Sequence, residues 1–268
     1  MFKKLLVSLL LVTALFGRND VKSCYKALNI EAPKADTTEL FIILDQTTEL
    51  DKKMKKYIYL NMKHFLMAGN KISIATFSSN TNGKYTEVLF SGKLDHKLEN
   101  TYDISKKVLR KYDNCMKSQY KYMKNKATKS LITAIKGIDG DIPKSDIFKS
   151  LNDLSKHLVN SSTSKNKVVL LVSDMMEYST ITSFYSKGTL KKINTDKEMA
   201  KLKSSGYLAD FDNAKVYVVG AGLGPKNSYR DPLILKSFKS FWTEYFKESN
   251  GNLIELGLPM LLEDLEVN

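Results

Sequence analysis

The chain has 268 residues, with 42 Lys or Arg against 29 Asp or Glu, a formal net charge of +13, and two cysteines. With an N-terminal export segment set aside, about 250 residues remain, long for one domain but ordinary for a single α/β unit, and no linker, repeat or low-complexity tract divides them. Two cysteines with no CxxC spacing and no neighbouring His exclude redox and thiol-nucleophile chemistry. The positive balance, about +11 without Lys3 and Lys4, favours acidic partners, anionic membrane or envelope material, and nucleic acid. An AT-biased composition rich in Lys, Asn, Ile and Tyr is the plainer source of that charge.

Residues 1–18 read as a signal peptide: Met1-Phe2-Lys3-Lys4 is a basic start, and Leu5 to Phe16 is an apolar run broken only by Ser8 and Thr13. The run is too short for a comfortable membrane span, and no later segment is long and apolar enough for one. A soluble periplasmic or secreted protein is expected, with an uncut N-terminal anchor as the competing reading. Cys24 follows Val21-Lys22-Ser23, which is not a lipoprotein signal. Residues 19–38 read as a tail. In an oxidising compartment the even pair Cys24 and Cys115 predicts one disulfide between that tail and a central helical region.

Glu39 to Asp45 is a continuous apolar run ending in an acid, as in a buried strand of a parallel sheet. Leu50, Met54, Tyr57, Ile58, Met62, Phe65 and Leu66 recur at helical spacing, and Gly69-Asn70 supplies the stop. Lys71 to Phe77 and Tyr85 to Phe90 read as two strands joined by a turn-rich Ser78 to Lys84, hence an antiparallel pair. Asp95 to Lys136 predicts a basic helical region of two helices, with ten Lys or Arg between Lys97 and Lys129. After a loop at 137–145, Ile147, Leu151, Leu154 and Leu158 mark a helix face, and Lys167 to Asp174 is a second buried strand with an acidic end. Met175 to Asp212 reads as irregular around a short helix near Thr195 to Ser204. Ala214 to Gly220, Asp231 to Ser249 and Asn252 to Leu256 then give a strand, an amphipathic helix and a closing strand.

Ligand sites in open α/β sheets lie beyond the carboxyl ends of the parallel strands. The loops there are Asp45-Gln46-Thr47-Thr48-Glu49, Ile142-Pro143-Lys144-Ser145-Asp146, Ser173-Asp174-Met175-Met176-Glu177 and Gly220-Ala221-Gly222-Leu223-Gly224. Three of the four hold carboxylate and hydroxyl oxygens with no His or Cys, a donor set suited to Mg²⁺, with Mn²⁺ or Ca²⁺ as alternatives.

At this point the chain resembles the von Willebrand factor A (vWA) family, whose order of strand, helix, strand hairpin, helices and three further strands matches almost all of residues 39–268. The resemblance implies a doubly wound α/β domain with a mostly parallel sheet and one antiparallel edge strand, and a metal-ion-dependent adhesion site. Asp45 and Thr47 match the first two positions of the family's DxSxS motif, and Asp174 matches its later Asp. Glu49 stands where the family has a serine, and Ser145 is the nearest match to its middle-loop Thr. A Glu49 carboxylate in the coordination shell would neutralise the ion further and weaken its pull on an acidic partner. The competing account of these aspartates is helix capping.

Other chemistries fit less well. A metal-dependent phosphohydrolase using the same carboxylates is one alternative, but Asp45-Gln46-Thr47 lacks the second Asp of a DxDxT motif. The Gly220 to Gly224 loop follows a late strand and lacks GxGxxG spacing, so it reads as a tight turn. No GxSxG is present, and His64, His96 and His157, each in or at the edge of a predicted helix, read as surface or boundary residues. The second alternative is a module for nucleic acid or anionic envelope polymer, carried by Lys106, Lys107, Arg110, Lys111, Lys117, Lys121 and Lys124 with interleaved tyrosines, against the plainer reading of a solvated helix face. Trp242 and its aromatic neighbours read as core. The leading expectation is a non-enzymatic module contacting a protein or envelope partner through Asp45, Thr47, Glu49, Ser145 and Asp174.

Overall fold

The computed structural model describes residues 18–78, 86–139, 145–186, 189–223 and 231–266. Residues 1–17 of the signal segment, the turn residues 79–84, the strand start at Tyr85, the loop residues Ile142 to Lys144 and Gly224 lie outside them.

A six-stranded sheet is built from β1 (Thr38–Asp45), β2 (Lys71–Phe77), β3 (Thr86–Lys93), β4 (Asn166–Val172), β7 (Lys215–Val219) and β8 (Asn252–Leu256). Two short strands, β5 (Tyr185–Ser186) and β6 (Thr189–Leu190), pair with each other outside it. Spatial order in the main sheet is β3-β2-β1-β4-β7-β8; all neighbours are parallel except β2 and β3. The antiparallel edge strand follows from the short β2–β3 connection, since only parallel neighbours need a crossover.

Helices cover both faces, so the central strands are buried on both sides and read as unbroken apolar runs. Phe41 and Ile43 of β1 face α4 (Ile147–Leu154), α5 (Thr195–Ser205) and α6 (Pro232–Glu248). Leu40, Ile42 and Leu44 face α2 (Lys52–His64), α3 (Lys106–Lys136) and the C-terminal Leu261 and Leu265. The α6 stripe of Phe238, Phe241, Trp242, Tyr245 and Phe246 is fully buried and meets Phe148 of α4. These aromatics are core, as their helical spacing indicates.

The region 95–136 forms one helix, not two. α3 runs unbroken for 31 residues, because Lys106 to Lys136 contains no Gly or Pro. Ser105 caps it by accepting from the Val108 amide, and Gly137 follows its last turn. Residues 94–105 are irregular: Asp95 accepts from the Cys24 amide and from Gln119, which ties that segment down outside any helix. His96 therefore lies in a loop, while His64 ends α2 and His157 sits exposed in a π-helical turn (Ser155–Val159) after α4.

The start of the segment 19–38 packs onto the sheet edge. The Asp20 amide donates to the Ser91 carbonyl at 2.7 Å, the Lys93 amide donates to Asn19, and Val21 is buried. These bonds occupy part of the exposed edge of β3, a common protection against edge-to-edge pairing. A short helix, α1 (Cys24–Leu28), follows, and Cys24 is bonded to Cys115 of α3 across a Cα separation of 5.8 Å. Tyr25, Tyr112 and the half-buried Cys115 and Met116 form a small satellite core around the bridge. No helix among the described residues is long and apolar enough to cross a membrane.

Candidate functional site

The strand order reverses at β1: the chain proceeds from β1 outward to β2 and β3, then returns to lay β4 on its other side. The loops leaving β1 and β4 therefore diverge to opposite faces and leave a crevice between them, the usual ligand position in such sheets. Leu44 pairs with Val172, so Asp45 and Ser173 emerge side by side at that crevice.

Asp45 is fully buried. Its Oδ1 accepts from the Thr47 amide at 2.9 Å and the Thr47 hydroxyl at 2.6 Å. Its Oδ2 accepts from the Ser173 hydroxyl at 2.8 Å and the Ser145 hydroxyl at 3.3 Å. Four donors from three separate loops thus converge on one carboxylate, and among the described residues no Lys or Arg pairs with it. Burial pushes its carboxyl above the usual range, opposed but not overcome by the bonds from Thr47, Ser173 and Ser145.

Around this carboxylate the loops hold each other. The Asp174 amide donates to the Thr48 hydroxyl at 3.0 Å, Asp174 accepts from the Met176 amide at 2.8 Å, and the Asp174 carbonyl accepts from the Gly222 amide at 2.7 Å. Gly220 and Gly222 have φ of 95° and 66°, and a Cβ on Gly220 would lie 3.2 Å from the Ser173 carbonyl oxygen. This is the tight turn expected there, with glycine needed for its positive φ and close approach. Ser145 joins through an isolated bridge to Tyr178, whose amide donates to the Ser145 carbonyl at 3.0 Å.

Of the expected residues, Asp45, Thr47 and Ser145 share direct hydrogen bonds, and Asp174 is joined through Thr48. Glu49 is exposed, and none of the bonds around Asp45 involves it. Two residues were missed by sequence reasoning: Ser173, immediately before Asp174, and Thr48, the variable position between Thr47 and Glu49. The register of β1 against β4 brings Ser173 to Asp45, and a motif read along one segment carries no trace of it.

Beside the crevice lies Glu177, also buried, with Oε2 accepting from the Phe148 amide at the start of α4. Burial raises its pKa to about 8, against weaker lowering by bonds from Ser179 and Phe148. It ties the loop after β4 to the helix that follows Ser145.

The donor set in the crevice consists of oxygen alone. Among the described residues, no three His, Cys, Asp or Glu side chains gather at one point. Any cation held here would rest on the Asp45 carboxylate, hydroxyls and water, with Asp174 one loop residue away, which matches the habit of Mg²⁺ of retaining several waters beside one or two carboxylates. In type, the residues present fit that ion.

No protein-family model matches the chain, and no curated protein does. Solved structures of low identity are similar to it. The three N-terminal domains of the type V pili tip protein Mfa5 from Porphyromonas gingivalis align over 53% of this chain at 10% identity and a TM-score of 0.31. The pilus adhesin SpaC from Lactobacillus rhamnosus GG aligns over 82% at 14% identity and a TM-score of 0.37. An aerotolerance-related membrane protein from Bacteroides fragilis aligns over 82% of this chain and 92% of its own at 14% identity and a TM-score of 0.34. The aligned part spans 20% of the pilus tip structure and 31% of the adhesin. Overlap this low says nothing of what the chain binds.

Proposed function

We propose that the chain is an exported, vWA-like binding module that engages a protein or envelope partner at the crevice between β1 and β4, with a divalent cation completing the site. The observation that carries this reading is Asp45: a fully buried carboxylate with four hydrogen-bond donors from three loops and no basic partner among the described residues, placed where the strand order reverses. A buried carboxylate without a countercharge is costly, and such groups either take up a proton or hold a metal. Asp45, Thr47, Ser145, Ser173 and Asp174 are the residues that would hold Mg²⁺, Mn²⁺ or Ca²⁺, directly or through water. The ion would supply an electrophilic point for an oxygen group of the partner. Glu49 sits outside this set, leaving the ion less neutralised than a coordinated Glu49 would. The disulfide supports placement in an oxidising compartment.

Calorimetric titration of the metal-stripped protein with Mg²⁺, Mn²⁺ and Ca²⁺ tests the reading, alongside Asp45→Ala and Ser173→Ala. One ion per chain is expected, with binding abolished in Asp45→Ala and weakened about tenfold or more in Ser173→Ala, the scale of losing one supporting contact. Absence of saturable binding to folded wild-type protein rules out the metal-assisted site.

A further inference from the structure

We infer that α3 is a docking strip for an anionic membrane surface. The helix carries ten Lys or Arg and one acid, Asp113, a net +9 out of the +13 of the whole chain. A compositional bias would scatter that excess, yet the other residues together carry only the remaining +4. None of the ion pairs between described residues involves α3. Solvated helix faces ordinarily mix signs and pair at i,i+4; this one has almost no acid to pair with.

The placement of the charges is as informative as their number. Met123, Ala127, Leu131 and Ala134 fix the inner face against the sheet. Lys107, Arg110, Lys111, Lys121 and Lys129 recur along the exposed face with Asn114, Ser118 and Asn125 between them. At 1.5 Å per residue the ridge is about 46 Å long. The exposed positions lie on one side of a single unbroken helix, so their charges form one row. Nearly all its cations are lysines, point charges suited to a diffuse field of headgroups, whereas bidentate recognition of individual phosphates favours arginine. Ile132 and Tyr122 are 48% and 45% exposed on the same helix, an amphipathic complement for the headgroup boundary. The Cys24–Cys115 bridge ties the helix to α1, and a disulfide fits an oxidising compartment, in which anionic lipid headgroups are a surface that such a lysine row would meet.

Vesicle co-sedimentation of the full chain tests this, using phosphatidylcholine alone and phosphatidylcholine with about one-third phosphatidylglycerol. The apolar start at Leu5 to Phe16 is common to every arm, and the neutral vesicles measure its contribution. Expected is a preference for anionic vesicles of about tenfold or more, collapsing between about 0.1 M and 0.5 M salt. The triple variant Lys107→Glu, Lys111→Glu, Lys121→Glu should lose the preference while keeping its unfolding midpoint within a few degrees. Equal binding to both vesicle types, or an unchanged preference in the folded triple variant, overturns the proposal. So does displacement from vesicles by duplex DNA at far lower phosphate concentration than the lipid presents, which would make the strip a nucleic-acid surface. Asp45→Ala should bind vesicles as wild type does, so the strip stands or falls separately from the crevice.

Discussion

At the scale of single residues, two buried acids behave differently for reasons that lie in their partners. Asp45 collects four donors, whereas the Oε1 of Glu177 has no partner among the described residues. The pKa of Glu177, raised from 4.5 to about 8, means that the folded state holds its proton more tightly than the unfolded chain does. The resulting stability is present in full below pH 4.5 and is lost as pH rises to about 8, where the slope ends. The loss from this group is on the order of 5 kcal/mol at most. Glu177→Gln should therefore flatten the decline in urea midpoint between these two pH values. A variant with the same slope as wild type would show that Glu177 is ionised in the folded protein across the range. Asp45 was legible from the sequence, as the acid ending an apolar run. Glu177 was only quoted as part of a loop, because burial of a charged side chain in a loop has no periodicity to reveal it.

Elements were read best where the pattern repeats. α6 was legible from its aromatic stripe, and its N-terminus from Asp231-Pro232, where Asp231 accepts from the Leu233 amide at 2.7 Å. Trp242 stacks edge-on against Phe184, Phe238, Phe241 and Tyr245 in the layer between α6 and the sheet. Trp242→Ala should cost about 3–5 kcal/mol in chemical denaturation, the range for removing a large buried aromatic. A loss below about 1 kcal/mol would mean the layer collapses into the cavity with little penalty. The region 95–136 was read as two helices, whereas residues 94–105 are irregular and one helix starts after Ser105. What distinguishes that segment is tertiary: Asp95 is held by the Cys24 amide and Gln119.

For the whole molecule, the bridge between Cys24 and Cys115 closes a loop spanning 91 residues and pins the N-terminal segment across the β3 edge. A loop of that size restricts the unfolded chain by about 4–5 kcal/mol in the chain-entropy account. Cys24→Ser with Cys115→Ser should lower unfolding free energy by about 3–4 kcal/mol and lower the unfolding midpoint. The same loss should appear on reduction of the wild-type protein. Reduction without any shift in midpoint would place the stability of the N-terminal segment in its hydrogen bonds to β3.

The sequence alone determined the fold class, the antiparallel edge pair, the cysteine pairing and the acids at two strand tips. Each depends on local periodicity, on a short connection, or on there being only two cysteines to join. Tertiary structure alone decided that Ser173 and Ser145 converge on Asp45 while Glu49 does not, and that Asn19 and Asp20 cover part of a sheet edge. Those outcomes depend on strand register and helix rotation, which place residues some 100 to 128 positions apart within a hydrogen bond of each other. Both are set by the packing of the whole core, and no short stretch of chain encodes them.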